Sequence, residues 1–200
     1  MCKYMITHSL LSSWLYMLTP NEYDIDDSSY TGFWATLNRE PIPVTEAMQK
    51  GNDFENLITD IINGKDVTNH EWYEAALRVA TIINGGVLQY KTQKDITVNG
   101  LQLVLIGRLD ALKAGTIYDT KYSGNYDAGK YINSTQHPSY FELVPEAKQF
   151  TYLVSNGYQL WAETYRRDET PSIVPTIEDF LNWLNMQGLM DIYKNKWIIS

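Results

Sequence analysis

A single cysteine, Cys2, stands among the 200 residues. An internal disulfide, a four-cysteine zinc site and a cysteine-held iron–sulfur cluster are thereby excluded. Long apolar runs are missing as well: none approaches the roughly 18 residues that a bilayer-crossing helix needs. The opening stretch, 1–18, is interrupted by His8, Ser9, Ser12 and Ser13, so it lacks the unbroken core of a secretory signal. The expectation is a cytoplasmic chain with no membrane partner. Positive charge is scarce, since 16 Lys and Arg face 24 Asp and Glu and leave a net charge of -8. This balance argues against coating nucleic acid by charge alone, because nonspecific binding is largely phosphate neutralisation. It leaves room for an enzyme that meets phosphate through a metal, where carboxylates serve as ligands.

What the chain has in plenty is aromatic: 15 tyrosines and 6 tryptophans. Such rings fill cores and also stack on bases, and composition does not separate the two uses. With 44% hydrophobic and 20% charged residues, the chain suits one sizeable globular domain. No repeat, low-complexity tract or linker divides it. The domain is expected to span 1–200, with a core over about 45–165. An N-terminal helix and an acidic loop (5–44) precede that core, and a helical segment (176–200) comes after it.

Leu10, Leu11, Trp14, Leu15 and Leu18 have the spacing of a short helix over 7–18. Asn21–Pro43, with Asp24, Asp26, Asp27, Gly32 and two prolines, reads as a long acidic loop. Thr45 opens a helix that runs to about Asn63 and ends at Gly64. Thr68 and Glu71 have the spacing of a capping box for a second helix, which Gly85-Gly86 ends. The period then changes to that of strands: Val87–Tyr90, Asp95–Val98, Leu101–Leu112 and Thr116–Tyr122, with turns at Asn99-Gly100 and Ala114-Gly115. A helix over Thr135–Leu143 and strands at Phe150–Ser155 and Tyr158–Tyr165 come next, then a helix over Thr176–Gln187. The fold class is α/β: helices, a three-stranded antiparallel meander, a helix and further strands, in a mixed central sheet flanked by helices.

The chemistry concentrates in residues 107–124. A two-residue turn at Ala114-Gly115 sets Lys113 opposite Thr116 and carries the pairing outward to Asp110 and Asp119. Their Cβ atoms then lie roughly 5 Å apart on one face. Alternation places Lys121 on that face and turns Thr120 away. Facing carboxylates repel, and a divalent cation offsets the repulsion. Mg²⁺ or Mn²⁺, held by Asp110, Asp119 and the Thr120 backbone carbonyl, fits the oxygen chemistry and keeps its remaining waters. Lys121 beside it can position a water or steady charge developing on a phosphate. The pattern alone equally suits an ion cluster in which Lys121 neutralises two aspartates, and a three-residue turn would remove the direct pairing.

Asp110 followed by Asp119-Thr120-Lys121 on consecutive strands resembles the signature of the PD-(D/E)XK nucleases. Gly51-Asn52-Asp53-Phe54-Glu55 is similar to a helix motif of their RecB-like exonuclease branch, and Gln136-His137-Pro138-Ser139-Tyr140 matches that branch's Q-x-x-x-Y motif. Thr7–Ser12 resembles the Ser-rich opening helix of many members. These motifs keep the family's order over about residues 5–165. The resemblance implies a restriction-endonuclease-like core and catalytic roles for Asp110, Asp119, Lys121, Glu55, Gln136 and Tyr140. Glu55 would stand near the metal, through water, while Gln136 and Tyr140 would orient Lys121 or contact DNA. Two features depart from the pattern: Leu109 replaces the proline of the name, and the four cysteines of cluster-bearing members are missing.

The resemblance implies a Mg²⁺- or Mn²⁺-dependent deoxyribonuclease, of a kind phages encode, acting from the ends of linear duplex or single-stranded DNA in recombination or repair. Any motor would be a separate helicase or recombination partner, and a homo-oligomer is compatible. An endonuclease on the same core, or a non-catalytic DNA-binding or assembly module, are the alternatives. Lys130, Arg166 and Arg167 are candidate phosphate contacts. His137 is expected at the surface or as a cap, and Glu55 by spacing alone would be a solvent-facing helix residue.

Overall fold

The computed structural model describes residues 2–19 and 27–199. Along the chain these form β1 (Lys3–Ile6), α1 (His8–Leu18), α2 (Ser28–Asn38), α3 (Glu46–Ile62), α4 (Tyr73–Ile83), β2 (Val87–Val98), β3 (Leu101–Lys113) and β4 (Thr116–Tyr122). Next come α5 (Gln136–Leu143), β5 (Gln149–Ser155), β6 (Leu160–Arg166), a single 3₁₀ turn, α6 (Val174–Met186), α7 (Met190–Trp197) and β7 (Ile198–Ile199). The strands make one seven-stranded mixed sheet, ordered β6-β5-β4-β3-β1-β7 with β2 paired to β3. Helices flank it. Among the described residues no helix is long and apolar enough to cross a membrane.

Two apolar layers hold the sheet. In one, Leu10, Leu11 and Trp14 of α1, Phe33 and Leu37 of α2, Phe141 of α5 and Phe180 of α6 pack with Leu105, Leu109, Ile117, Phe150 and Tyr152 of the sheet. In the other, Phe54, Leu57 and Ile58 of α3 and Ala76, Val79 and Ile83 of α4 pack with Ala111 and Leu153. Helix α3 begins where its sequence says it should. The Thr45 hydroxyl accepts from the Met48 amide at 3.2 Å.

Several expected elements need correction. The acidic loop expected over 21–43 contains α2, because Phe33 and Leu37, one turn apart, are buried against α1 and outweigh the polar residues around them; the stretch 20–26 lies outside the described residues. The capping box does not form. Thr68 donates its hydroxyl to Asp66 at 2.9 Å instead, and α4 starts only at Tyr73. The two short strands expected before Asn99 are one strand, β2. Strands β1 and β7, of four and two residues, are too short to show a period in sequence and owe their pairing to the sheet. Helix α7 falls within the helical segment expected over 176–200.

Both hairpin turns are two-residue turns with successive positive φ, at Asn99-Gly100 (50° and 75°) and Ala114-Gly115 (49° and 77°). The second one sets Lys113 opposite Thr116, as expected. Strand β5 joins β4 in parallel, with Asp119 level with Tyr152 and Lys121 level with Val154.

The long strand β3 is the spine of the sheet. β2 pairs along one edge of it, from Leu101 to Leu112. On the other edge β1 pairs only with 103–105 and β4 only with 111–113. Residues 106–110 of β3 therefore border an opening in the sheet between β1 and β4. The ladder is also interrupted at Asp110 on the β2 side, where Gln89 takes a positive φ of 49°. Next to the opening, a Cβ on Gly107 would stand 2.6 Å from Leu143 and 2.7 Å from Tyr140, so only glycine lets α5 approach β3 this closely.

Candidate functional site

The direct pairing of Asp110 with Asp119 expected from the turn is not formed. The β3–β4 ladder stops one step short, at Ala111 and Tyr118. Beyond it the Asp110 carboxylate takes the place of a backbone partner. Its Oδ2 accepts from the Thr120 amide at 2.8 Å and from the Thr120 hydroxyl at 3.1 Å. Thr120 thus serves the site through its N–H and side chain, a role of which strand alternation gives no sign.

Asp119 is buried, with 6% of its side chain exposed. Its Oδ1 accepts from Nε2 of Gln136 at 2.5 Å. Its Oδ2 is buried without a well-directed hydrogen bond and faces the Lys121 ammonium at 2.8 Å, a charge contact. Glu55 on α3 completes the acidic group. It shares a small cavity with Asp110, Thr120, Gln89 and Ile58, and its Oε1 accepts from Gln89 at 2.7 Å. Residues 55, 110, 119, 121 and 136, scattered in sequence, are therefore brought together.

The electrostatics result from burial and from this crowding. Desolvation, then the charge of Asp119, pushes the Asp110 carboxyl up to about 7 from 3.8, against the pull of the Thr120 amide. Desolvation also raises Asp119, opposed by Lys121 and Gln136. Burial disfavours the Lys121 ammonium, yet the Asp119 and Asp110 carboxylates outweigh it and hold its pKa above the usual value. His8, at the start of α1, is lowered to about 4 by burial and by the charge of Lys121, so its ring is neutral at neutral pH. Fully ionised, three carboxylates face one ammonium, and two negative charges remain uncompensated.

That excess, together with an Asp119 oxygen that is charge-paired with Lys121 but lacks a well-directed hydrogen bond, suits a hard divalent cation bound through carboxylate oxygens. The fit is to two carboxylates and not three. Among the described residues no group of three or more His, Cys, Asp or Glu side chains converges as a metal site, and Glu55 is tied to Gln89. Around Gly51, one turn before Glu55, a Cβ would meet nothing within 4 Å, so no neighbour in the fold requires glycine there.

The remaining sequence candidates lie apart from this cluster or act on the backbone. Tyr140 is buried on α5 beside Gln136, and its hydroxyl donates to the Arg108 carbonyl at 2.8 Å. His137 is buried rather than at the surface, stacked on Tyr165 with ring centroids 4.1 Å apart and bonded to the Tyr152 hydroxyl at 3.2 Å. Lys130 braces the loop after β4 by donating to Ser123 at 2.8 Å. Arg166 is held by Asp168 at 3.2 Å. The Arg167 guanidinium donates to the carbonyls of Phe141, Val144 and Ala147, at the end of α5 and just beyond it. Its phosphate role gives way to a structural one, because the freed carbonyls of a helix end compete for the same donors.

A residue that the sequence does not single out is Glu163. Its carboxylate accepts from the hydroxyls of Tyr126 and Tyr165 and from the amides of Gly129 and Tyr131, and so fastens the 126–131 loop. Tyr131 in turn stacks on Tyr152 at 4.2 Å, within electrostatic range of Lys121 and Asp119.

No protein-family profile matches the chain, and no curated protein sequence does. Among solved structures it is similar to the crystal structure of SSO0001, with a TM-score of 0.53 and 16% identity over 92% of this chain and 77% of that one. At such low identity the likeness concerns the fold.

Proposed function

We propose that this chain is a nuclease of the PD-(D/E)XK type on a restriction-endonuclease-like core, which hydrolyses phosphodiester bonds in DNA with Mg²⁺ or Mn²⁺. One observation carries the proposal. Asp119 is clamped between Gln136 and Lys121 beside Asp110, so the residues of two separate motifs meet at one buried carboxylate. An ion cluster formed by chance would not require a glutamine from a distant helix to fix one of its oxygens.

Asp110, Asp119 and the Thr120 carbonyl would hold the cation, with Glu55 reaching it through water. The bound ion would supply charge neutralisation at the scissile phosphate and a more acidic water. The chain's own groups do the rest. Thr120 fixes one carboxylate and Gln136 the other, so that both are aimed before substrate arrives. Lys121 orients a water oxygen and steadies negative charge as it develops on phosphate. The neutral ring of His8 adds no competing charge. Action from DNA ends is the favoured mode, by the resemblance of Gln136–Tyr140 and Gly51–Glu55 to the exonuclease branch.

The test is cleavage of linear and closed circular DNA by the purified chain in Mg²⁺ and in Mn²⁺, with Lys121→Ala as the comparison. Degradation of linear DNA alone, lost in the variant, is the expected result. Cutting of the circle would make it an endonuclease, and no cleavage of either substrate with either metal would refute the proposal. The direct Lys121–Asp119 ion pair favours a second reading, a non-catalytic DNA-binding module whose lysine permanently replaces the cation. Metal titration separates the two, since only the nuclease binds Mn²⁺ at Asp119.

A further inference from the structure

Two residues upstream of Asp110 on β3, a cavity of about 440 Å³ opens where the sheet is parted between β1 and β4. Thr7, His8 and Ser9, at the start of α1, form one wall. Gly107, Arg108 and Tyr140 form another, and Lys91 of β2 completes it. Lys91 and Arg108 are directly opposed in the β2–β3 register, and both are exposed.

Like charges placed opposite each other destabilise a sheet. Six cations of this acidic chain, Lys3, Lys50, Lys65, Lys94, Lys121 and Arg166, each sit on a carboxylate. The side chains of Lys91 and Arg108 have no such partner among the described residues. In a chain of net charge -8, two uncompensated cations set directly opposite each other at a cavity repel, and an anion is what relieves that repulsion.

Its position says which anion. The next pair along the same two strands, beyond Tyr90 and Leu109, would be Gln89 and Asp110, which line the neighbouring cavity with Glu55 and Thr120. Two residues of an extended strand cover roughly 7 Å, a step on the scale of adjacent phosphates in one nucleic-acid strand. Tyr140 joins the two places, since it lines the cavity while its hydroxyl holds the Arg108 carbonyl and its helix carries Gln136.

We infer that Lys91 and Arg108 form a phosphate subsite that seats a DNA strand one nucleotide from the carboxylate cluster. The inference takes its ligand from the nuclease reading and rests on it to that extent. The subsite binds the phosphate group of a nucleic-acid strand, whether the 5′-terminal phosphate or an internal one. Its role is to supply locally the attraction that the overall charge of the chain denies.

The test measures binding without cleavage, by fluorescence anisotropy in EDTA, using the full chain carrying Lys121→Ala. The probes are single-stranded oligonucleotides with a 5′-phosphate or a 5′-hydroxyl. Adding Lys91→Ala with Arg108→Ala should weaken binding at least tenfold. It should also flatten the dependence of log K on log salt by about 0.7 for each cation removed. Lys91→Gln with Arg108→Gln should do the same, and Lys65→Ala, as a surface control, should do neither. Loss confined to the 5′-phosphorylated strand identifies the terminal phosphate as ligand; equal loss on both strands identifies an internal one. Unchanged affinity and slope on both strands overturn the subsite, as does failure of the Lys121→Ala chain to bind either. Because cleavage plays no part in the assay, a subsite confirmed here alongside an inactive wild-type chain would reject the nuclease reading alone.

Discussion

Gln136 donates to Asp119 across 17 residues of sequence, in a buried hydrogen bond of 2.5 Å. Helix α5 therefore reaches into the sheet and sets the direction of the carboxylate that Lys121 pairs with. Replacing Gln136 with Ala frees that oxygen while leaving the carboxylate buried. A supporting residue of this kind is worth on the order of 10- to 100-fold in activity or metal affinity. The Gln136→Ala chain should lose cleavage rate by that factor with its fold retained, as steady-state kinetics and circular dichroism will show. A rate equal to wild type would mean that the bond does not serve the chemistry.

Lys121 offers the sharper contrast between catalysis and structure. Lys121→Met should reduce cleavage by roughly 10²- to 10³-fold, the usual range for removing one donor aimed at developing negative charge. In metal-free buffer it should also lower stability, because Asp119 would be left as an uncompensated buried carboxylate. A divalent cation should then restore part of that loss by mass action. Thermal unfolding with and without Mn²⁺ reads both effects, and a variant as active as wild type would remove Lys121 from the mechanism.

The pH dependence has a definite sign. The folded chain holds the Asp110 proton to about 7, whereas the unfolded chain releases it near 3.8. Its contribution to stability is therefore complete below 3.8 and lost as pH rises through about 7. Asp110→Asn removes the charge that folding resists. In EDTA it should be more stable than wild type at about pH 8, on the order of 1–2 kcal/mol, and the advantage should fade near pH 4. His8 and His137 act in the opposite sense. Both are lowered to about 4 from 6.5, so their contribution is complete above 6.5 and lost as pH falls towards 4. Thermal midpoints measured across this range check the signs. An Asp110→Asn advantage that does not change with pH would contradict the environment described for Asp110.

Arg167 separates a structural cation from a binding one. Its guanidinium donates to the carbonyls of Phe141, Val144 and Ala147 and lies over the Phe141 ring at 4.9 Å. Arg167→Ala should cost roughly 2 kcal/mol, in keeping with hydrogen bonds from a charged donor. The folded protein should still bind DNA with unchanged affinity. Denaturant unfolding and anisotropy measure the two quantities separately, and weakened binding without loss of stability would restore the phosphate role.

The order of elements from α3 to β6 is legible in the sequence because its signals are local. Thr45, Asn99-Gly100 and Ala114-Gly115 each dictate backbone geometry within a few residues. The motif residues Asp110, Asp119, Lys121 and Gln136 are legible through their types and order. What sequence does not carry is the manner in which they meet. The break in the β3 ladder at Asp110 depends on Gln89, a strand away, and on the Thr120 amide turning to the carboxylate. The burial of α2 depends on α1 and α7. Neither Glu163 nor the Lys91–Arg108 pair belongs to a short motif, because each acquires its meaning only when strands or loops distant in sequence come together.

The central claim is that Asp110 and Asp119 share a divalent cation, and a crystal soaked in Mn²⁺ tests it most directly. The expected result is an anomalous peak roughly 2 Å from an oxygen of each carboxylate, with the Lys121 ammonium moved off Asp119. No peak at that position, with Lys121 still seated on Asp119, would contradict it.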